Sequence, residues 1–392
     1  MKKELVILGI RGVPASHGGF ETFAENLSLY LVERGWKVTV YCQIDPGEEI
    51  PSDDTWKGIH RVFIATNIKG AGGTMQFDWR STIDVAKNAD RLVLTLGYNT
   101  AIFSLMLRVL GIRNIMNMDG IEWSRAKWGP VARAWLWMNE RFGCWFADHL
   151  IADHPRIADH LARMVSQAKI STIAYGAREL TSANFELLER YSLRAKSYAL
   201  VIGRPEPENS VLEIVSAFSR RERGCKLAVL GKYSPECSDF HKRVLAAAST
   251  EVVFLGAIYD QATVDALRLG AMVYIHGHQV GGTNPSLVEA LGAGSPVLAH
   301  DNRFNRWVAG EGGAYFSDAD SCAECLDQLL EDKQILSAMS AAGRDRHQQA
   351  FKWGDILFAY ETLLLKWLPG EFEVGSANQE AEIRILKEHI EP

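Results

Sequence analysis

Short apolar runs rich in Val, Ile and Leu alternate with helix-period segments along almost the whole chain. Continuous apolar runs of this length are typical of parallel strands that helices cover on both faces. Six runs in the first half are predicted to be strands, at residues 5–10, 37–42, 60–64, 91–96, 114–118 and 149–152. Six more follow Arg194, at residues 198–202, 226–230, 251–255, 272–275, 296–299 and 314–316. The fold class predicted is therefore α/β, with two successive doubly wound units joined within residues 175–197, where the pattern is weakest.

The length of 392 residues fits two domains, each large enough for its own core. The chain carries 42 Lys and Arg against 48 Asp and Glu, a net charge of −6, with +2 on residues 1–175 and −8 on residues 176–392. General nucleic-acid binding is disfavoured, because it needs a dense field of basic side chains. The apolar runs are too short to predict a transmembrane helix, and the apolar N-terminal segment resembles a buried strand more than a signal peptide.

The six cysteines are scattered through the sequence, a pattern that favours reduced thiols in a cytosol over a disulfide framework. Cys322 and Cys325 form a C-x-x-C pair, but the neighbouring sequence holds no second Cys or His pair. The segment 321–330 is predicted to be helical, so two small residues on one helix face are favoured over zinc or redox chemistry.

A long glycine-bearing loop follows the first predicted strand and ends at Gly18 and Gly19, where a helix over residues 20–34 is predicted. It matches neither the G-x-G-x-x-G dinucleotide fingerprint nor a P-loop. Free N–H groups at the start of a helix favour an anionic group. The alternative is that these glycines serve only a tight turn.

The densest group of candidate residues follows the strand predicted at 272–275. Pro285 suits the first turn of a helix, and Asn284 or Thr283 suits the cap before it. The amides of Gly281, Gly282 and Thr283 would then face a diphosphate. Glu289 lies about one turn further on, where a carboxylate can accept hydrogen bonds from the paired hydroxyls of a sugar.

His276 and His278 in the same segment are typical of a metal-binding pair. If the strand continues through them, strand alternation is expected to direct the two rings to opposite sides. A metal site is therefore disfavoured here.

The run from Gly281 to Val297 resembles the segment E-G-F-G-L-P-x-x-E-A-M-A-x-G-x-P-V of family 4 glycosyltransferases. These are retaining enzymes of the GT-B fold, in which two doubly wound Rossmann-like domains face a central cleft. Val201-Ile202-Gly203-Arg204 resembles the V-G-R before the first helix of the donor domain, and Val253-Phe254-Leu255-Gly256 resembles the V-x-F-L-G strand beside the nucleobase pocket. The motifs keep their order along essentially the whole chain.

The resemblance implies four segments. Residues 1–180 would form an acceptor-binding domain and residues 195–352 a domain that binds a nucleotide sugar. A C-terminal helix at 353–370 would pack back on the first domain. Residues 371–392 are a polar tail.

A narrower resemblance lies in the first half. Arg11-Gly12-Val13-Pro14 with His17-Gly18-Gly19-Phe20-Glu21-Thr22, and the run from Asn117 to Trp128, resemble bacterial rhamnosyltransferases of capsule, O-antigen and exopolysaccharide assembly. That branch carries Gly-Gly-Thr-Asn-Pro-Ser-Leu where most relatives have Glu-Gly-Phe-Gly-Leu-Pro, as this sequence does. The resemblance implies transfer of L-rhamnose from dTDP-rhamnose to a lipid-linked saccharide, by a cytoplasmic enzyme that is peripheral at the inner face of the cell membrane. No metal and no cofactor is expected.

The resemblance also implies a set of site residues. Asp119, in a loop after a strand, is the candidate for orienting or deprotonating the acceptor, the alternative being a turn residue beside Gly120. Glu122 and Trp123 are assigned to the acceptor side, and Glu289 joins Asp119 as a catalytic candidate. The donor would be bound by Gly18, Gly19, Arg204, Gly281, Gly282, Thr283, Asn284 and Glu289.

Two positions depart from the family pattern. The first Glu of the paired-glutamate motif falls at Gly281, and the Lys of the diphosphate clamp, five residues after its Arg, falls at Asn209. Arg204 can still make a bidentate contact with a phosphate. Candidates for a second cation are Lys232, Arg303 and Arg306.

Five tryptophans and four basic residues lie between positions 123 and 145. This composition suits a membrane surface or an undecaprenyl diphosphate-linked acceptor, and packing in the core is the alternative. Two other functions also stay open. One is a UDP-hexose-dependent transferase of the same fold, and the other is a non-catalytic homologue that binds a sugar nucleotide or scaffolds a partner.

Overall fold

The structure is a computed structural model that describes residues 2–16, 18–87 and 90–368. The chain forms two compact units. Unit 1 comprises the residues up to Ala174 together with those from Gly354 onward, and unit 2 comprises Tyr175–Trp353. The predicted tail at 371–392 lies outside the described residues. No helix in the described ranges is long and apolar enough to cross a membrane.

Unit 1 is built on one eight-stranded sheet. Its strands are β1 (Glu4–Leu8), β2 (Lys37–Ile44), β3 (Thr55–Trp56), β4 (Ile59–Ala65), β5 (Leu92–Leu96), β6 (Asn114–Asn117), β7 (His149–Ala152) and β8 (Ile170–Thr172). Its first five helices are α1 (Gly19–Glu33), α2 (Gly70–Val85), α3 (Ser104–Val109), α4 (Pro130–Phe146) and α5 (Pro155–Leu161).

The strand order in this sheet is β3-β4-β2-β1-β5-β6-β7-β8, with β3 antiparallel to β4 and the other pairs parallel. The connections through α2, α3 and α4 all run in one direction across the sheet, and the connection through α1 runs in the other. Because such crossovers are right-handed, α2, α3 and α4 cover one face of the sheet and α1 covers the opposite face.

Unit 2 is built on a six-stranded parallel sheet in the order β11-β10-β9-β12-β13-β14. Its strands are β9 (Tyr198–Ile202), β10 (Lys226–Leu230), β11 (Val252–Gly256), β12 (Val273–His276), β13 (Val297–His300) and β14 (Ala314–Phe316). Its helices are α6 (Val211–Phe218), α7 (Asp239–Ala246), α8 (Gln261–Gly270), α9 (Pro285–Gly292), α10 (Arg303–Ala309), α11 (Ala319–Glu331) and α12 (Lys333–Ala350).

Helix α13 (Trp353–Lys366) returns the chain to unit 1. Its Tyr360 ring lies 4.6 Å from the ring of Phe23 on α1, and its Glu361 carboxylate accepts a 3.0 Å hydrogen bond from the indole of Trp36. The helix therefore packs on the α1 face of unit 1.

All twelve predicted strands are present, each within about two residues of its predicted bounds. The helices predicted at 20–34 and 321–330 are present as α1 and within α11, so Cys322 and Cys325 do lie on one helix. The two strands that the sequence analysis missed, β3 and β8, are two and three residues long and form the two edges of the sheet in unit 1. Neither contains the buried apolar run on which the prediction depended.

Candidate functional site

In a doubly wound sheet, ligand-binding loops follow the carboxyl ends of the strands. In unit 2, the loops after β9 and β10 touch: a Cβ at Gly231 would lie 2.6 Å from the carbonyl oxygen of Gly203. Arg204 and Lys232 follow these two glycines directly. The Arg204 side chain is 64% exposed, with a guanidinium nitrogen 3.6 Å from Glu206, and Lys232 is exposed. Two cations thus start from adjacent strand ends.

Asn209 stands where the family places its second clamp cation, and here it has a structural role. Its side chain is buried and its amide Nδ2 donates to the carbonyl of Arg204 at 2.9 Å. Its own carbonyl lies so close to Gly277 that a Cβ there would be 2.1 Å from the oxygen. Asn209 therefore fixes the loop after β9 against the loop after β12.

The other two cations considered from the sequence are engaged by neighbours. Arg306 donates to both carboxylate oxygens of Asp301, and the Arg303 guanidinium lies 4.9 Å from the centre of the Phe304 ring. Lys232 forms no ion pair with any residue in the described ranges. Of the three candidates, Lys232 is the one that a contact between two loops places next to Arg204, since Gly231 lies against Gly203.

The loop after β12 leads into α9 as predicted. Asn284 is the N-cap, and its side-chain oxygen accepts a 3.0 Å hydrogen bond from the amide of Ser286, with Pro285 in the first turn. Thr283 is buried, and Gly281 and Gly282 are half-buried. Assignment of these residues to the donor stays a prediction.

Gly281 has a φ of 141°, a region that residues with a side chain rarely adopt. No neighbouring atom lies within 4 Å of a Cβ built there. The backbone conformation, rather than lack of space, therefore disfavours the glutamate that family members carry at this position.

Glu289 projects from α9 and forms an ion pair with Arg268 on α8. The Arg268 side chain is almost completely buried, and its backbone carbonyl accepts a 2.8 Å hydrogen bond from the Ser295 hydroxyl. This pairing explains why an otherwise apolar helix carries a carboxylate.

The rings of His276 and His278 stack 4.4 Å apart, with an angle of 10° between their planes. The prediction that they point to opposite sides is wrong, because residues two apart in a strand share a face. Burial lowers the pKa of His276 well below its ordinary value, and His278 and His300 lower it further, so the ring is neutral near pH 7. Among the described residues, no three His, Cys, Asp or Glu side chains are grouped so that they could hold a metal ion.

In unit 1, the loop after β1 is tied to α1 by carboxylates of that helix. Glu21 accepts from the amide of Arg11 at 3.2 Å, and Glu25 accepts from the amide of Ala15 at 2.6 Å. Gly18 is the N-cap of α1, Gly19 begins it, and His17 lies outside the described residues. Because the Glu21 carboxylate already places negative charge in the first turn, this helix end attracts an anionic ligand less strongly than the sequence suggests. The donor role of Gly18 and Gly19 stays a prediction.

Asp119 lies just beyond β6 in a loop held by buried side chains. The Asn117 side chain accepts from the Asp119 amide at 2.9 Å and donates to the Tyr360 hydroxyl at 2.8 Å. The buried hydroxyl of Tyr98 accepts from the Glu122 amide at 2.7 Å and donates to the Gly120 carbonyl at 3.2 Å. With a φ of 52°, Asp119 has the left-handed conformation that Asp and Asn tolerate better than most residues.

Burial raises the pKa of Asp119 to about 6, with the nearby Glu122 carboxylate adding to the rise. The Gly120 amide, Arg125 and Lys127 act in the opposite direction. Glu122 is itself paired with Arg125 at 2.8 Å. Asp119 can therefore exchange a proton near neutral pH, as an acceptor-activating base would.

Trp123, assigned to the acceptor side, has its ring centre 6.4 Å from that of His160. Its indole nitrogen is buried, with no hydrogen-bond partner among the described residues. Glu122 and Trp123 form one short 3-10 helix with Ser124, which Ile121 separates from Asp119 and Gly120. The structure thus groups the three predicted acceptor-side residues in one loop.

Asp78 on α2 was missed by the sequence analysis. Burial raises its pKa to about 6, and it accepts a 2.8 Å hydrogen bond from Thr100, in the loop after β5. A single Asp within a helix has no motif around it, so only the tertiary fold reveals this second carboxyl group with a raised pKa.

The two units match two family models. Residues 190–346 match the model described as Glycosyl transferases group 1, and residues 2–178 match the one described as Domain of unknown function (DUF1972). No curated protein is similar enough in sequence to give a match.

Solved structures of similar fold cover nearly the whole chain. A sucrose-phosphate synthase from Thermosynechococcus elongatus is 18% identical, with a TM-score of 0.77 and coverage of 93% of this chain and 99% of that one. Anabaena Alr3699/HepE in complex with UDP and glucose is 14% identical, with a TM-score of 0.73 and coverage of 93% and 99%. An alpha,alpha-trehalose-phosphate synthase (UDP-forming) from Burkholderia vietnamiensis is 11% identical, with a TM-score of 0.68 and coverage of 93% and 100%.

The two parallel sheets and these similar structures define a GT-B fold. With the family match in unit 2, they define the class of the protein as a glycosyltransferase. The part of the chain on which this assignment rests is residues 190–346, which match the Glycosyl transferases group 1 model.

Proposed function

We propose that the protein is a retaining glycosyltransferase that moves L-rhamnose from dTDP-rhamnose to a lipid-linked saccharide in bacterial surface polysaccharide synthesis. Donor binding is supported by one observation: two exposed cations, Arg204 and Lys232, follow adjacent strand ends of unit 2. The choice of rhamnose depends on the sequence resemblance of residues 11–22 and 117–128. The enzyme would act in the cytoplasm, peripheral at the inner face of the cell membrane.

In the proposed reaction, the bond from the sugar C1 to the diphosphate oxygen breaks and a bond from C1 to the acceptor oxygen forms. The diphosphate leaves with the bonding electrons, and Arg204, Lys232 and the amides that begin α9 would stabilise its charge. The acceptor hydroxyl loses its proton to a phosphate oxygen of the leaving group or to the Asp119 carboxylate. These steps call for no metal or cofactor.

Donor identity is tested by thermal unfolding of the full chain with dTDP-rhamnose, UDP-glucose, UDP-GlcNAc and GDP-mannose. A ligand at 100 times its dissociation constant adds about 2.7 kcal/mol to the free energy of unfolding. We expect the largest shift with dTDP-rhamnose and a smaller one in Arg204→Ala. Transfer of rhamnose to a lipid-linked saccharide, followed by mass spectrometry, completes the test.

A UDP-hexose donor is the second candidate, because the similar Anabaena structure holds UDP and glucose and the Burkholderia enzyme is described as UDP-forming. A larger shift with UDP-glucose than with dTDP-rhamnose would favour it. Gly281 and Asn209, which replace a Glu and a Lys of the family pattern, favour a third candidate, a non-catalytic homologue that binds a sugar nucleotide or scaffolds a partner. A shift with a donor but no transfer to any acceptor would support that candidate, and no shift with any donor would contradict both enzyme candidates.

A further inference from the structure

Unit 1 exposes large apolar side chains in one region. Of sixteen exposed large hydrophobic residues in the described ranges, ten lie on or at the end of α2, α3 and α4. They are Met75, Trp79, Ile83, Leu105, Val109, Leu110, Val131, Trp137, Met138 and Trp145. We call them the α2–α3–α4 surface. Scattered single apolar residues are normal on a protein, but a concentration of this kind marks an interaction site.

Helix α4 departs from the usual polarity, because besides Leu136 and Cys144 it buries two polar side chains and it exposes several large apolar ones. Its buried residues include Asn139 and Glu140, whereas Val131, Trp137 and Trp145 are exposed. The buried polar groups are satisfied: Asn139 accepts from the Ile102 amide at 3.0 Å, and Glu140 lies 2.9 Å from the His160 ring nitrogen. A helix at the surface of a soluble domain normally turns its apolar side inward. The outer side of α4 is therefore suited to an apolar environment outside the unit.

The three helices present this surface together, since right-handed crossovers place them on one face of the sheet. The Trp79 ring on α2 lies 5.1 Å from the ring of Phe103, which directly precedes α3. On α2, Met75, Trp79 and Ile83 recur every four residues and form one stripe. The exposed residues thus belong to neighbouring elements rather than to separate parts of the unit.

The exposed charged residues of α3 and α4 are all basic, although Arg108 and Arg141 are ion-paired with Asp148 and Glu140, and α2 adds the partly exposed Asp84, which pairs with Lys87. The basic residues of α3 and α4 are Arg108, Arg133 and Arg141, and the one acidic residue of these two helices, Glu140, is buried. The Arg141 guanidinium lies 3.4 Å from the centre of the Trp137 ring. Tryptophans mixed with arginines suit the headgroup region of a bilayer that contains anionic lipids.

We propose that the α2–α3–α4 surface docks unit 1 on an anionic lipid bilayer. A second copy of the chain is a poorer occupant, because its matching surface would present the same arginines and no exposed acidic residue of α3 or α4 to pair with them. The choice of a bilayer as the partner rests on the proposed function, because the proposed acceptor is linked to a lipid and therefore resides in a membrane. The acceptor-side loop precedes α4 closely, since Asp119 lies eleven positions before Pro130. Docking would therefore bring the acceptor-side residues near the lipid that carries the acceptor.

The test is co-sedimentation of the full chain with vesicles of phosphatidylcholine alone or mixed with phosphatidylglycerol, without donor or acceptor. We expect binding to the anionic vesicles that weakens as salt is raised. The double variant Val131→Ser/Trp145→Ser should bind at least tenfold more weakly. Tyr259→Ser/Phe358→Ser is the matched control and should bind like the wild type, because both residues lie outside the α2–α3–α4 surface. Their exposures of 84% and 56% match the 86% and 56% of the test pair.

Three results would overturn the proposal: no binding of the wild type to anionic vesicles, equal losses in the test and control variants, or a vesicle-free dimer that only the test variant abolishes. The shift in unfolding temperature that a donor causes should be measured for the same variants, so that a failure of membrane docking can be told apart from a failure of the proposed function. A variant that loses vesicle binding but keeps its donor shift supports the docking surface whatever the donor proves to be. Failure of every donor, with vesicle binding intact, would contradict the proposed function alone.

Discussion

Arg268 and Glu289 form an ion pair within unit 2, and the arginine is the more deeply buried partner, with 8% of its side chain exposed against 29% for the glutamate. The carboxylate on α9 thus has a structural task, whether or not it also binds a sugar. A loss of activity in a Glu289 variant would therefore not show by itself whether the ion pair with Arg268 or the binding of a sugar is responsible.

We expect Glu289→Ala to lower the free energy of unfolding by about 2 kcal/mol, because it leaves a buried guanidinium without its counter-ion. The double variant Arg268→Met/Glu289→Leu should recover most of that loss, since no charge then stays buried. Urea unfolding measures both. An unchanged midpoint in Glu289→Ala would contradict the structural task.

The donor role of Glu289 requires a separate measurement. Donor affinity of Glu289→Ala and of the double variant should be determined by calorimetry well below their unfolding temperatures. If Glu289 binds donor hydroxyls, both variants lose about tenfold in affinity despite their different stabilities. Wild-type affinity in the double variant would leave only the structural task.

Asp119 gives a prediction on the pH dependence of transfer. Its pKa of about 6 means that kcat/KM should rise as the pH increases through 6 and level off above it, if the ionised carboxylate accepts the acceptor proton. Asp119→Asn suits the same left-handed backbone and should lower kcat by about a hundredfold or more. A pH profile with the same rise at pH 6 in the variant would exclude Asp119 as its source.

The same raised pKa predicts a change in stability with the opposite sign to that of an ion-paired carboxylate. The folded protein holds the Asp119 proton more tightly than the unfolded chain, so this group makes folding less favourable as the pH rises from about 4 to about 6. Asp119→Asn should therefore raise the free energy of unfolding by about 1–2 kcal/mol at pH 7 and change it little at pH 4. Urea unfolding at the two pH values tests the sign.

For Arg204 and Lys232, we expect each alanine variant to weaken binding of UDP or dTDP by about tenfold, because each removes a charged donor to the diphosphate. Binding of the nucleoside alone should not change. Lys333→Ala, which removes an exposed lysine at the start of α12, is the control. If Lys232→Ala binds the nucleotide as the control does, Lys232 does not replace the missing clamp lysine.

Gly281 and Gly277 should respond to alanine for different reasons. Gly281→Ala strains a backbone with φ 141° and should cost about 1 kcal/mol, and Gly277→Ala, which forces a Cβ against the carbonyl of Asn209, should cost more. Thermal unfolding gives the order of the two. A fully stable Gly281→Ala would mean that the loop adapts, and conformation would then no longer account for the absent glutamate.

The sequence predicted the strands well where burial on both faces leaves a continuous apolar run. The whole of β9 and β10 was predicted to the residue, whereas β3 and β8 lack such a run. Local chemistry also limited the cap of α9 to Asn284 or Thr283, of which the structure has Asn284, because a cap depends on the residue and its immediate neighbours.

Contacts between residues that are far apart along the chain could not be predicted from the sequence. The partner of Glu289 lies 21 positions away on another helix, and the contact of Gly203 with Gly231 joins loops of two strands. The stacking of His276 on His278 could be predicted from strand geometry alone, because residues two apart in a strand share a face. The sequence therefore held the information, and the geometry was applied wrongly. The two interpretations of the tryptophan-rich segment could not be separated without knowing which side of α4 the sheet covers.

The return of α13 to unit 1 has a consequence for work with fragments. The amide of Ala177 donates to the carbonyl of Phe351 at 2.7 Å, so the chain enters and leaves unit 2 at adjacent points. Unit 2 is in effect an insertion that could be excised, with the cut ends rejoined by a short linker. A fragment made of residues 2–178 alone would lack the Tyr360 hydroxyl that binds Asn117, and would expose the part of the α1 face on which α13 packs. Splicing residue 174 to residue 354 is therefore the better way to isolate the half that carries Asp119.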